Sequence, residues 1–472
     1  MKNNFSLPMI RQGGMGVRIS GYRLAKTVSL LGQAGTLSGV ALDNIMARLL
    51  QLGDLGGEIR RALAHFPIPD VADRVVGTYL NHNIGRSKRF KGVPAYRIDP
   101  SRLLIELLVC ANFAFVWLAK EGHDQPITIN YLEKISMPHV YAITGAMLAG
   151  VDAITMGAGV GLQVPALIDD VFNMRTATYR VPVDGKNIKN QVMSFNAPDF
   201  FGTELVFSRR PQFIPIIASN LLASIFMKKL PPGSVDAFVV EEWQAGGHNA
   251  PPRKAVFDEQ GKSLPVYGEK DFVDYKNLAN LGVPFWIGGA RASPEALESA
   301  LDNGAAGIQA GSIFALCNES DMDEKIKSRA RSLAFEGKLI VRTDMRISPT
   351  DFPFKVAELP GTISERQVYE SRQRICNQGA LVSLYEKADG KIGYRCPSEP
   401  VDKYLAKGGQ AEDTDGRACL CNALSSLSGI GHDHEPPIVT LGDDLGFLKK
   451  ILKNKDDSYG AAEAVNYLLG KS

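Results

Sequence analysis

Ala245, Gly246, Gly247 and His248 follow the apolar run "VDAFVVE" without a break. Two glycines clear side chains from the backbone, so a flat group can approach it closely. An imidazole beside that gap can exchange protons near neutral pH. In isolation the same stretch reads equally well as a strand, a loose turn and a surface histidine. Comparable glycine segments recur along the chain: Gly13-Gly14 after "LPMIRQ", Gly157-Ala158-Gly159 after "VDAITM" and Gly288-Gly289 after "VPFWI". Gly311 and Ser312 close a fifth, after "AAGIQA". Backbone N–H groups and the Ser312 hydroxyl are good anion ligands. The chemistry this suggests is proton transfer next to a bound, phosphorylated, planar group.

Something must hold those segments at one place. Eight apolar, β-branched runs start near Leu7, Gly35, Pro126, Val151, Phe213, Val235, Val283 and Ala305. Several are apolar throughout, as expected of parallel strands buried on both faces. Helical segments separate most of them. "SPEALESALDNG" carries its own punctuation, with Ser293 as N-cap, Pro294 at the first position and Gly304 as the stop. Eight β–α alternations predict an α/β fold, a (β/α)8 TIM barrel, with a doubly wound open sheet as the competitor. The barrel is assigned to residues 1–52 and 126–335, with a helical insertion at 53–125 and a C-terminal extension at 336–472. A second, polar insertion spans about 172–211 and reads as either a lid or a surface excursion. The extension reads as a mostly helical tail with a small core of its own.

In such a barrel the working groups gather at the C-terminal ends of the strands, and a phosphate usually sits after strands seven and eight. Glycines on several sides and anion ligands on the last two strands suit a mononucleotide such as FMN. The motifs "IRQGGMG", "ITMGAG", "EEWQAGGH", "FWIGGA" and "GAAGIQAGSIF" also resemble, in order and spacing, the nitronate monooxygenase family. That family, once called 2-nitropropane dioxygenases, includes the FMN-dependent enoyl-acyl-carrier-protein reductases. The resemblance covers roughly residues 7–335. It implies FMN as cofactor and His248 as the catalytic base. It implies flavin contacts from Gly14, Met15, Asn130, Gly157, Gly246 and Gly247. Gly288, Gly289, Gln309, Ala310, Gly311 and Ser312 match the flavin-phosphate segments. The family often has Gln where this chain has Glu241, and Thr where it has Ser312.

The resemblance implies an FMN-dependent oxidoreductase that oxidises a nitronate or similar carbon acid. The alternatives are an NAD(P)H-dependent enoyl-thioester reductase of lipid or polyketide synthesis, and a partner-binding protein that carries flavin as a structural element. Beyond His248 the chain departs from the family. Pro251 and Pro252 stiffen a loop, and Arg253 and Lys254 add charge. This loop is read as a rigid surface feature, with an acidic or acyl-carrier substrate as the other reading.

Composition narrows the partners. The net charge of +2 gives no reason to expect nucleic acid. "LLIELLVCANFAFVWLA" is short for a bilayer and holds Glu106 and Asn112, so it reads as a buried helix and no membrane span is expected. The first residues lack a signal-like apolar run, which makes a cytoplasmic location the default. The expected partner is a small-molecule or acyl-thioester substrate, with a homodimer left open. Of six cysteines, Cys110 and Cys317 read as core thiols. Cys376, Cys396, Cys419 and Cys421 fall close together in the tail and suggest an iron–sulfur cluster or zinc, although only "CLC" is paired. His432 and His434 are further candidate ligands, or part of a turn.

Overall fold

The computed structural model describes residues 8–80, 90–432 and 435–471. Eight parallel strands form one sheet: β1 (Ile10–Gln12), β2 (Gly35–Ser38), β3 (Ile127–Leu132), β4 (Ala153–Gly157), β5 (Gln212–Ile217), β6 (Phe238–Glu241), β7 (Phe285–Gly288) and β8 (Gly307–Ala310). From β2 to β8 each strand pairs with its neighbour in sequence, and β1 pairs with β8, with Arg11 opposite Gln309, which leaves β1 against β2 as the last seam. The last seam is narrow. Ala34, just ahead of β2, accepts from Gln12 N at 2.9 Å and donates to Ile10 O at 3.0 Å. This closes the cylinder and rules out the open doubly wound sheet. The eight strands start within a few residues of the runs named above. Residues 1–7, where the first run begins, lie outside the described residues.

The helix Pro294–Asp302 is capped as its sequence demands. Ser293 Oγ accepts from Ala296 N at 3.1 Å, and Gly304 takes the left-handed φ of +80° that stops the helix. Among the described residues, 53–125 supply three helices, Glu58–Leu63, Pro69–Tyr79 and Arg102–Lys120. The last is long and apolar enough to cross a membrane, yet 83% of its most apolar window is buried inside the protein. It packs on the helix His139–Leu148, and the approach is close. A Cβ on Gly145 would stand 2.3 Å from the carbonyl oxygen of Val109. Glu106, the acid in this apolar run, is held by Arg74 at 2.7 Å and Arg102 at 2.8 Å. Gly145→Ala is therefore expected to push the two helices apart and lower stability by about 1–3 kcal/mol. Urea denaturation reads this, and an unshifted midpoint would refute the close contact. Residues 85–89 of the basic cluster "GRSKRFKG" lie outside the described residues.

The polar insertion and the C-terminal tail join each other. The polar insertion contains the hairpin Ala177–Asp184 and Asn190–Phe195, and the tail contains Ser383–Glu386 and Ile392–Arg395. Leu384 aligns in parallel with Val183, giving a single four-stranded sheet. The insertion is thus an ordered hairpin that shares a sheet with the tail. The tail also holds a second hairpin, Val341–Asp344 with Phe354–Ala357, so it is mixed and not mainly helical. Nor does it have a core of its own. Ile347, Phe354, Val356, Ile438, Leu441, Phe447, Tyr459 and Leu468 belong to one continuous cluster with barrel residues. Its apolar side chains are buried in a core shared with the barrel.

Candidate active site

All fourteen residues marked by their sequence position line one cavity of about 210 Å³ at the C-terminal ends of the strands. Gly14 and Met15 follow β1, Asn130 lies in β3, and Gly157 ends β4. Glu241 ends β6, and Gly246, Gly247 and His248 come from the turn after it. Gly288 and Gly289 stand at the end of β7, and Gln309, Ala310, Gly311 and Ser312 at the end of β8. Residues 249–287 contribute no lining group. Arg253 and Lys254 are exposed, and the Arg253 N–H donates to Asp271 at 2.8 Å. The loop after His248 is accordingly a braced surface loop.

The bare backbone is needed where it occurs. A Cβ on Gly14 would fall 2.4 Å from the Cβ of Asn130. Gly289 has φ +101° and Gly247 φ +84°, a region that side chains resist. Asn130 Nδ2 donates to Gly14 O at 3.2 Å, while its Oδ1 is buried without a donor. An unmet buried acceptor on a cavity wall calls for a ligand N–H or O–H. Arg291, also on the wall, is held to Glu242 at 2.6 Å through one nitrogen and leaves a buried Nε–H unused. Sequence reasoning did not assign Arg291, although it follows Gly288-Gly289 by two residues. An acceptor, an unused guanidinium donor and glycines at the rim together fit a planar phosphorylated group such as FMN.

His248 is set by the tail. Its Nε2 lies 2.8 Å from Ser348 Oγ, which is itself 2.8 Å from Thr350 Oγ1. Phe354 packs edge-on against the ring at 4.9 Å between centroids. With Nε2–H donating to Ser348, Nδ1 keeps its lone pair, and no described residue hydrogen-bonds it. Burial, helped by the Lys134 charge, lowers His248 to about 4, so the imidazole is neutral at pH 7. Glu241 moves the other way. Burial raises its carboxyl to about 7. A protonated Glu241 can donate one hydrogen bond as well as accept, which an ionised carboxylate cannot do.

These two groups pull stability in opposite directions. Glu241 has a folded pKa above its ordinary 4.5, so its contribution is full below 4.5 and is lost as pH rises through about 7. His248 lies below its ordinary 6.5, so its contribution is full above 6.5 and is lost as pH falls toward about 4. Glu241→Gln should therefore match the parent below pH 4.5 and gain on the order of 2 kcal/mol above pH 7, less whatever cavity water screens. Thermal melts across that range test it; a difference that ignores pH would mean the carboxyl is ionised throughout.

Besides Arg291, the groups that sequence reasoning missed come mainly from the tail. Gly442 N donates to Ser312 Oγ at 2.8 Å, and Gly247 N donates to Thr440 Oγ1 at 2.7 Å. Lys355 N donates to Gly247 O at 2.9 Å, and its buried Nζ grips Asp443 at 2.6 Å. Leu381, Leu420, Leu424 and Leu427, with Val17 and Ile19 of the barrel, form an apolar arm of the same cavity. The pattern "PPIVTLGDDL" gives no local sign of this role, because Lys355, Ser312 and Gly247 lie 88, 130 and 193 residues from their partners in it.

The proposed metal site is not formed. Among the described residues no group of three or more His, Cys, Asp or Glu is placed to hold a metal ion. Cys376, Cys396, Cys419 and Cys421 remain free thiols. Cys421 enters the cavity wall at the start of the helix Leu420–Leu427, and Cys396 is buried at the end of its hairpin. Cys419 and Cys421 hydrogen-bond each other, which lowers Cys421 and raises Cys419. Cys110 and Cys317 are buried. His432 packs against Phe90, and His434 lies outside the described residues.

Fold and cavity together define a closed eight-stranded α/β barrel with a glycine-rimmed mouth and a histidine on its wall. No family model matches the chain, and no curated protein matches it. Among solved structures it is similar to FabK from Thermotoga maritima, at 14% identity and a TM-score of 0.49, covering 99% of this chain and 93% of that one. It is similar to nitroalkane oxidase from Streptomyces ansochromogenes, at 12% identity and a TM-score of 0.49, covering 99% and 96%. The enoyl reductase domain of MlnA from the macrolactin biosynthesis cluster of Bacillus amyloliquefaciens is 12% identical with a TM-score of 0.47, covering 99% and 97%.

Proposed function

We propose that this chain is an FMN-dependent oxidoreductase that oxidises a carbon acid, with His248 as the base. One observation carries the reading: an unprotonated imidazole, its Nε2 fixed by Ser348, stands on the wall of a glycine-rimmed cavity that also holds an unmet amide acceptor. Gly288, Gly289, Gly311, Ser312 and Arg291 would hold the phosphate. Gly14 and Met15 would lie against the ring, with Asn130 and Glu241 at its polar edge. FMN, when bound, supplies the two-electron redox chemistry. The protein's part is to orient the carbon acid, exclude water and accept its proton at His248 Nδ1. An arriving anion and loss of solvent would tune that basicity further, and the nearby Lys134 ammonium favours an anionic substrate.

The apolar arm of Leu381, Leu420, Leu424 and Leu427 supports a second reading, an enoyl-thioester reductase, because an acyl chain would fill it. Anaerobic mixing separates the two. Flavin bleached by a nitroalkane or its nitronate and not by NADH or NADPH favours carbon-acid oxidation. Bleaching by a nicotinamide, with reoxidation by an enoyl thioester, favours the reductase and would overturn the first reading.

A further inference from the structure

Arg11 is a charge in the wrong place for a structural residue. It lies in β1, points into the barrel and is 2% exposed. Its Nη2 donates to Thr155 Oγ1 of β4 at 3.3 Å, and its guanidinium stacks over the Trp286 ring of β7 at 4.7 Å. Trp286 Nε1 in turn donates to Pro8 O, at the N-terminal end of the barrel, at 2.8 Å. The Arg11 Nε–H is buried with no acceptor, and among the described residues Arg11 forms no ion pair. Burial is the only influence on it and lowers it to about 10, so it stays cationic at neutral pH. Removing an unpaired charge from water costs several kcal/mol, and an apolar side chain would plug this layer more cheaply.

Its position supplies a reason. Thr155 lies two residues before Gly157, and Arg11 three before Gly14; both glycines line the cavity. Two strand residues span about 7 Å. The cation therefore sits one side-chain layer beneath the floor on which the proposed ring would rest. Across a dry interior, a unit charge at that range acts strongly on any group that changes charge.

We infer that Arg11 is an electrostatic positioning residue that favours the reduced, anionic form of a flavin seated above it over the neutral oxidised form. The inference rests on the flavin reading proposed above. Arg11 touches neither substrate nor cofactor; it acts through the field it places under the ring. Trp286 below and Thr155 beside it hold the guanidinium at that height.

The test is the two-electron midpoint potential of bound FMN, with the dissociation constant of oxidised FMN measured alongside. Arg11→Met should weaken the preference for reduced over oxidised FMN about tenfold, a fall of about 30 mV in potential. Arg11→Lys should keep most of the parent value. Arg11→Gln, which can still bond Thr155, replaces Arg11→Met if the latter does not fold, and should show the same fall. Equal potentials in all variants would overturn the assignment and leave Arg11 a plug of the barrel. A parent chain that binds no FMN would instead overturn the flavin reading, and the inference with it.

Discussion

A chain ending at residue 335 is expected not to fold. The cut falls where the barrel pattern ends in the sequence, yet the core runs straight across it. Ile347, Phe354, Val356, Leu359, Ile438, Val439, Leu441, Phe447, Leu448, Tyr459, Val465 and Leu468 are all buried in the cluster that contains barrel side chains. Burying one such side chain contributes about 1.5–3 kcal/mol, and a whole domain keeps only about 5–15 kcal/mol. Losing half a dozen of these contacts would exhaust that margin. Polar ties go as well. Tyr459 OH donates to Ile313 O at 2.6 Å, and Asn318 N donates to Tyr459 O at 2.9 Å. Those bonds brace the segment after β8, next to Ser312. The expected outcome is aggregation, or a species lacking a cooperative thermal transition by circular dichroism. A truncated chain that melts cooperatively and binds FMN like the parent would show the tail to be dispensable.

His248→Ala is expected to leave FMN binding within about threefold of the parent and to reduce turnover of a carbon acid by about 100- to 10,000-fold. The side chain contributes the basic nitrogen, while the glycines on either side of the cavity contribute the seat. Ser348→Ala should have a smaller effect, because it frees Nε2 to choose the wrong tautomer without removing the base. The pH profile separates base from bystander. An imidazole held near 4 stays deprotonated through the neutral range, so the acid limb of kcat/KM should fall well below pH 6.5. Full turnover in His248→Ala would assign the proton transfer elsewhere, with Glu241 the next candidate.

The barrel was legible because its signal is local. Runs such as "VDAITMG" and "VPFWIGG" are largely apolar and end in glycine, so strand, end and turn are written within ten residues. Gly14, Gly247 and Gly289 could be picked out for the same reason: side chains are excluded there by contact or by φ. Features that depend on distant pairing were not legible. Closure through Ala34, the joining of Val183 to Leu384, and Gly442 on Ser312 each unite segments whose own patterns say nothing of the partner. The tail looked separate because its apolar residues show no strand–helix rhythm, yet they needed the barrel to be buried. Four nearby cysteines suggested a metal, but among the described residues no group of three is placed to hold one. Arg11, a charge inside a strand, carried no hint of being enclosed until the barrel was seen to close around it.

Every expectation about catalysis depends on FMN being seated in the glycine-rimmed cavity. Titrating the full-length chain with FMN, followed by quenching of flavin fluorescence, tests it most directly. One FMN bound per chain, with riboflavin bound more weakly for want of its phosphate, is the predicted result. A chain that is folded and cooperative in its melt but leaves FMN fluorescence unchanged would contradict it.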